Sequence, residues 1–582
     1  LSPCHLVILL GLASSLLLAV AFPPIGFAPA VWIAPVGLIL LVRQDRLGDA
    51  SSLIGRHPYL VLWCTGLVFW LIAVHWLRLP HWAGYFSWTG LSALMACYVP
   101  LFVGLSRVLV HRWRVPVIVA APVVWTGLEL LRAYVPDGFP MASLYHAHYR
   151  WPLVIQVADL AGGYTLSFAI VTVAACVARM IPWNGGRAAG WPAVPLAIAL
   201  AATLGYGYWR FSSLAAAAPP TGREVRVALI QPSFDTTFER DPGRARKLYE
   251  AMDRLSLRAL RERPDLDLVI WPETLVQALV RHDEADALVG CTLVVLPDCL
   301  CMFAPAGNAP APDVVNLASK LNQAAGTRAS FILGAEFNHA HLAADQRTIE
   351  RTDDYNASLL VNPHGQVLGR YDKMHAVIFG EYMPLGDYLP WLYHLSPLRD
   401  GLCEGKRPES FEVAMPRSPL RGEGRDEGQR ATRLTSTETG GVVRFCPSIC
   451  YESTMPQEVR RSVQRLRAEG REPDVLVNQT NSGWFWASSE LDLHLACNVL
   501  RAVECRKPML VAANTGISAW IDERGQIVKQ GLRHDEDIVY ATVGPSHARS
   551  LYTYVGDWPA ALCLLICGLA VLSGLHTRWR KA

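Results

Sequence analysis

Charge is scarce in this sequence: Asp, Glu, Lys and Arg make up only 18% of its 582 residues, and the net charge is +3. No long basic run interleaved with aromatics occurs, so nucleic acid is not an expected partner. The 14 cysteines include no C-x-x-C pair, which removes the usual zinc spacing. Neither a metal nor a cofactor is expected. Lys and Arg are absent from Leu1 to His5, ahead of the first apolar run. That absence argues against a cleaved secretory signal, although Ala19-Val20-Ala21 resembles a cleavage site, and a retained first span is expected.

Apolar residues are abundant but uneven. Mean hydropathy is +0.22, high for a soluble chain, and the excess lies in residues 1–212 and 557–582. Residues 223–556 have the mixed composition of a globular domain. Eight apolar segments fall near 4–22, 28–43, 58–77, 89–110, 115–131, 163–180, 191–210 and 558–575. Most approach the roughly 20 residues needed to cross about 30 Å of hydrocarbon. The expected organisation is a seven-span bundle over 1–212, a catalytic domain over 223–556, and a last span with a tail over 557–582.

Loop charges orient this arrangement. Arg43, Arg46, Arg56, Arg107, Arg112, Arg114, Arg179, Arg187, Arg578, Arg580 and Lys581 all fall in loops on one side, against Arg78, Arg132 and Arg150 on the other. By the positive-inside rule both termini are expected in the cytoplasm and the large domain outside it.

Within the domain, β-rich runs alternate with helical patterns, the mark of an α/β sheet fold. Strands are expected at Val225 to Gln231, Leu266 to Trp271, Phe331 to Glu336, Val442 to Pro447, Asp474 to Gln479, Met509 to Ala513 and Ala519 to Ile521. A hairpin is expected from Ala357 to Tyr371, and a helix from about Gly243 to Arg263. Stretches 282–313 and 417–441 interrupt the pattern; the second has almost no large apolar residues and reads as a surface loop.

Three polar residues stand where buried strands end: Glu273, Lys373 and Cys450. A cysteine attacks a carbonyl as its thiolate, so it needs a base, and the resulting oxyanion needs a positive donor. Glu, Lys and Cys supply that set without histidine. Taken singly, each has an ordinary structural reading: a turn carboxylate, a surface charge, an inert core thiol.

Their order and flanks go further. Trp271-Pro272-Glu273, Tyr371-Asp372-Lys373-Met374-His375 with Glu381 eight residues beyond Lys373, Cys450-Tyr451-Glu452, and Asn478-Gln479-Thr480-Asn481-Ser482-Gly483-Trp484-Phe485 resemble the motifs of the nitrilase superfamily. The closest resemblance is to its membrane-embedded branch, the apolipoprotein N-acyltransferases. Phe22-Pro23-Pro24-Ile25-Gly26, Gly138-Phe139-Pro140 and Ala158-Asp159-Leu160-Ala161-Gly162 look like that branch's extracytoplasmic loops. Met141, Trp486 and the segment His494 to Leu500 depart from its pattern.

The resemblance implies an αββα sandwich beside an α-helical bundle of about eight spans. It also implies transfer of a fatty acyl chain from a phospholipid, through a cysteine thioester, to the N-terminal amine of a diacylglyceryl-modified lipoprotein. Cys450 would be the nucleophile, Glu273 the general base and Lys373 the oxyanion donor, with Glu381 and Glu452 in support. Tyr388, Trp391, Tyr451, Trp484 and Phe485 would meet the substrates, in a region where Phe379, Tyr382, Tyr388, Trp391 and Tyr393 suit the headgroup level of a bilayer. The chain is expected to work as a monomer. The alternatives are a membrane-tethered amidase or hydrolase using the same three residues, and a transporter or receptor whose outer domain only binds ligand.

Overall fold

The computed structural model describes residues 2–579 apart from 50–52, 136, 184–186, 217–223, 237–241, 274–275, 280–313, 343–348, 379, 383–385, 387, 390–400, 416–440 and 547. The expected interruptions at 282–313 and 417–441 lie outside the described residues except at their edges, as do Trp391 and Tyr393.

The catalytic domain is two sheets face to face. In the first, β13 (Asp537–Val543), β1 (Val225–Gln231), β2 (Leu268–Ile270), β4 (Ser330–Leu342), β5 (Ile349–Val361) and β6 (Val367–Asp372) lie in that order, and β3 (Val276–Leu279) pairs with β4. In the second the order is β12 (Ile527–Gln530), β11 (Ala519–Ile521), β10 (Met509–Ala513), β9 (Val475–Thr480), β8 (Val442–Ile449) and β7 (Phe411–Ala414). Successive strand side chains point to opposite faces, and the residues sort accordingly. Val225, Val227 and Leu229 of β1 meet Val443, Phe445, Val475, Val477 and Leu510 of the other sheet. Ala228 and Ile230 face outward onto Met252, Leu255, Ala259 and Leu260. Those four recur at helical spacing on Pro242–Glu262, whose apolar stripe therefore covers the first sheet.

The outer face of the second sheet is covered by Pro456–Ala468 and Glu490–Cys505. Val459, Val463 and Leu466, with Leu491, Leu495, Val499 and Val503, belong to one continuous apolar cluster with Val31, Leu41, Phe69, Leu128 and Ile170 of the bundle. The αββα sandwich is thus seated through one of its helix layers on the N-terminal helices.

Among the described residues, three helices are long and apolar enough to cross a membrane: Pro3–Ala21, Gly84–Arg112 and Val117–Tyr134. Pro152–Ala161 and Tyr164–Met180 form a pair bent by 115°, which makes four if the pair is one span, and Ala28–Arg43, Pro58–Ala73 and Trp558–Gly574 are shorter apolar helices. Fewer helices meet the length and hydropathy requirement than the eight segments anticipated. The segment expected at 163–180 is the second arm of the bent pair, broken where Gly162 takes φ +76.

Candidate active site

Each of the three expected residues is delivered by backbone geometry at a strand end. After β2 the chain turns at Pro272-Glu273 directly over Gly334 of β4. A Cβ at Gly334 would lie 2.1 Å from the Pro272 carbonyl oxygen and 2.8 Å from the Glu273 Cα, so only glycine lets the turn sit there. Lys373 follows β6, its N–H donating to the Asn356 carbonyl (2.8 Å) and its own carbonyl accepting from Gly405 (2.7 Å). Cys450 ends β8 and opens a short 3₁₀ turn to Thr454 with φ +51, in the left-handed region that non-glycine residues rarely enter. Such strain clusters at functional sites because the surroundings must hold it in place.

The structure brings the three together with Glu381. Lys373 is 3% exposed and Glu273 5%. The Lys373 Nζ is 2.6 Å from Glu381 Oε1 and 3.5 Å from Glu273 Oε1. Glu381 Oε2 accepts from the Val377 N–H (2.8 Å), which closes the loop beyond the lysine. Glu273 accepts from Asn356 Nδ2 (2.7 Å) and, on its other oxygen, from the Asn481 N–H (2.8 Å). Burial pushes the Glu273 carboxyl above its ordinary range, opposed chiefly by Lys373. Burial alone would lower the Lys373 ammonium; Glu381 and Glu273 outweigh it and hold the group charged. The Cys450 thiol is pushed well up by burial and then by Glu273, while Lys373 and the Thr480 hydroxyl favour the thiolate. The resting sulfur is therefore protonated, and a basic carboxylate with a fixed cation stand next to it.

Glu452 occupies a different place. Its carboxylate accepts from Tyr371 Oη (2.7 and 2.8 Å) and from the N–H groups of Met374 (2.6 Å), His375 (3.1 Å) and Ile449 (2.6 Å). It clamps the lysine loop to the end of β8, and burial raises it to about 7 against those donors. Tyr451 points to the bundle: its hydroxyl donates to the Gly138 carbonyl (2.8 Å) and its ring stacks on His375. Phe485 packs edge-on against Trp76 of the bundle, ring centroids 4.7 Å apart. Trp484 lies in the 3₁₀ turn Ser482–Phe485. Tyr388 is 84% exposed, and Trp391 is outside the described residues.

Reasoning from sequence missed Asn356, Thr480 and His494 as parts of this site. Asn356 lies in mid-strand, and only the pairing of β4 with β5 brings it to Glu273. Thr480 and Asn481 sat within the Asn-rich motif, which was a usable signal. His494 gave none, since it lies one helix further on and reaches Cys450 only through the tertiary fold.

Two family models match this chain, one in each of its parts. The model for the apolipoprotein N-acyltransferase N-terminal domain matches residues 14–176, and that for carbon-nitrogen hydrolases matches residues 226–552. An apolipoprotein N-acyltransferase of Rhodopirellula baltica is 30% identical, covering 96% of this chain and 95% of its own. One from Geobacter metallireducens is 29% identical over 98% and 95%. Among solved structures, a Saccharomyces cerevisiae member of branch 10 of the nitrilase superfamily covers 59% of this chain and 97% of its own, at 17% identity and TM-score 0.32. An amidase from Nesterenkonia sp. covers 56% and 92%, at 16% and 0.31. With both parts matched in order and a relative aligned nearly end to end, this chain belongs to the apolipoprotein N-acyltransferase family and is an acyltransferase.

Proposed function

We propose that acyl transfer runs through Cys450 in two steps, from a membrane phospholipid to the N-terminal amine of a diacylglyceryl-cysteine lipoprotein. The observation that carries this reading is the convergence of Glu273, Lys373 and Cys450, from stretches far apart in sequence, on one buried cluster.

In the first step Glu273 takes the proton from Sγ as sulfur bonds to the ester carbonyl carbon. Negative charge moves to the carbonyl oxygen, where the Lys373 ammonium, held by Glu381, offsets it without reorganisation. The carbon–oxygen bond then breaks, the leaving alkoxide takes the proton back from Glu273, and a thioester remains on Cys450. In the second step the lipoprotein amine attacks that carbonyl and Glu273 accepts the amine proton. The carbon–sulfur bond breaks, and Glu273 returns the proton to sulfur. A base raised by burial suits this exchange, because efficiency is highest when base and pH are matched.

The bundle supports lipid substrates over a small amide. A cavity among its helices is lined by Leu18, Phe69, Trp70, Phe102, Trp125 and Leu128, together with Glu129 and Arg132. Trp70 packs against Phe139, next to the Gly138 carbonyl that accepts from Tyr451. We assign Tyr451, Trp484, Phe485 and Tyr388 to the substrate-facing mouth; Trp391, expected with them from the sequence, lies outside the described residues. The eight-span topology, with Ala28–Arg43, Pro58–Ala73, Ala193–Ala216 and the C-terminal helix also crossing, belongs to this proposal, as does a monomer.

Orientation has its own support. Arg43 donates to the Ile181 carbonyl (3.1 Å), Arg107 to that of Asp45 (3.0 Å) and Arg112 to that of Ser573 (2.7 Å). These basic residues gather at one end of the bundle, while Trp76, Ala133, Gly138 and Asp159 meet the catalytic domain at the other. A basic end on the cytoplasmic side is what the charge rule favours, and this supports a domain outside the cytoplasm, in the periplasm.

Labelled phospholipid and a diacylated lipopeptide provide the assay. Glu273→Gln, Lys373→Met and Cys450→Ala are each expected to cut lipopeptide acylation by about 10² to 10⁴-fold. Transfer at the unsubstituted rate by any of them would overturn that residue's role.

A further inference from the structure

A second polar cluster holds Cys450 through its main chain. The His494 Nε2 lies 3.1 Å from the Cys450 carbonyl oxygen and 3.1 Å from Ser453 Oγ. Its Nδ1 lies 3.4 Å from Thr480 Oγ1 and 3.5 Å from Glu490 Oε1. Glu490 and His494 are one turn apart on the same helix and therefore share a face. His494 and its side-chain partners are buried, Ser453 and Thr480 at 0% and 2% exposure and Glu490 and His494 at 5% and 4%.

The contact with the Cys450 carbonyl decides where the ring hydrogen lies. A carbonyl only accepts, so a bond to Cys450 requires the hydrogen on Nε2. Burial depresses His494 to about 4, so the ring is neutral and Nδ1 must be an acceptor. Glu490, raised by burial to about 8, is the protonated neighbour that can donate to it. The Thr480 hydroxyl is then free for the Cys450 sulfur. An ionised Glu490 would instead draw the hydrogen to Nδ1 and aim the Nε2 lone pair at the Cys450 carbonyl.

The nucleophile needs such a hold. At φ +51 its backbone stands in a region that side chains disfavour, and relaxation would carry Sγ away from Glu273 and Lys373. Asn478 Nδ2 (3.2 Å) and Ser453 Oγ (3.3 Å) also reach the same carbonyl, but both come from the strand or turn adjoining Cys450. His494 alone among these three comes from the helix layer packed on the bundle.

We propose that His494 is a positioning residue, donating from Nε2 to the Cys450 carbonyl to lock the nucleophile in its left-handed turn, with Glu490 fixing the ring tautomer. The proposal rests on Cys450 being the nucleophile. It gives the helix Glu490–Cys505 a role in the reaction without contact with substrate.

The test uses the full chain in detergent and lipid, with acylation of Cys450 from labelled phospholipid, lipopeptide kinetics, thermal midpoint and alkylation of Cys450 by iodoacetamide as readouts. His494→Leu is expected to lower kcat about 100-fold with KM within about twofold, the size expected for a misplaced reacting group. His494→Gln, whose amide can donate to the same carbonyl, should stay within about 5-fold of the original rate. Glu490→Gln should behave like the parent and Glu490→Leu like His494→Leu, and alkylation should slow in step with kcat. A His494→Leu enzyme at the original rate, or His494→Gln as slow as His494→Leu, overturns the positioning role. If His494→Leu does not fold, equal rates for Glu490→Gln and Glu490→Leu overturn it. Absence of acyl on Cys450 in the unsubstituted enzyme instead overturns the nucleophile assignment, and this proposal with it.

Discussion

Glu273 and Glu381 place two carboxylates around a single buried ammonium, Lys373. Burial first, and the excess negative charge after it, keep the thiol protonated at rest and make Glu273 a better base than a solvated carboxylate. Asn356 is the neutral donor that lets Glu273 stay ionised there. Asn356→Leu should therefore slow acylation of Cys450 by about 10-fold or more, through loss of a charge-assisted hydrogen bond, in a chain that still folds; an unchanged rate would contradict that role. Glu490 makes a stability prediction. Its folded value of about 8 lies above its ordinary 4.5, because burial disfavours the charge. The folded state thus keeps a proton that the unfolded chain releases across this window. The stabilisation is complete below pH 4.5 and is lost as pH rises through 8, at up to about 1.4 kcal/mol per pH unit. Glu490→Gln cannot titrate, so its thermal midpoint should fall less between those two pH values; an identical pH profile would contradict the assignment.

Among the elements, the turn after β2 depends on what lies beneath it. Gly334→Ala would drive a methyl into the Pro272 carbonyl. It should destabilise the domain by about 1–3 kcal/mol and lower turnover by about 10²-fold through displacement of Glu273; a variant that loses neither would show that the turn has slack. β2 and β8, which lead to Glu273 and Cys450, could be read from sequence as apolar runs cut by a turn, whereas β6, largely exposed or half-buried, was legible only as the second arm of the hairpin around Asn362-Pro363-His364-Gly365. β13 could not be read. Asp537–Val543 alternates buried with half-buried positions and carries no motif, and its identity as a strand comes from pairing with β1, Val225 opposite Val543. β7 and β12 are short edge strands of four residues, with too little pattern to stand out. β4 and β5 extend well past the expected ends, because their long ladder pairs polar residues such as Asn356 and Glu336 that hydrophobicity alone does not mark. The polar surroundings of the site, Asn356 and His494 above all, were illegible for the same reason. Each acts across a contact between elements, whereas Glu273, Lys373 and Cys450 announce themselves by their neighbours in the chain.

Over the whole molecule, the catalytic domain and the bundle share a core and a set of buried polar ties. Asp159 of the bundle takes Arg506 (2.7 Å) and Arg210 (2.8 Å), and Glu504 accepts from the Gly163 N–H (2.8 Å). Arg506 is fully buried, so Asp159→Ala would strand a charge and should cost about 3–5 kcal/mol, read as a lowered unfolding midpoint; a midpoint within error of the parent would contradict the tie. For the same reason the catalytic domain cut away from the bundle should expose the apolar face of Pro456–Ala468 and Glu490–Cys505 and aggregate. On the proposed topology the arrangement suits an enzyme whose two substrates are lipids, because the sulfur would then lie near the bilayer surface that holds them. The most direct test of that account is to quench the intact enzyme after a single turnover with acyl-labelled phospholipid and map the label by mass spectrometry. The account predicts a hydroxylamine-labile acyl group on Cys450, absent from Cys450→Ser and discharged onto an added diacylated lipopeptide; label on another residue, or lipopeptide acylation by Cys450→Ser at the parent rate, would contradict it.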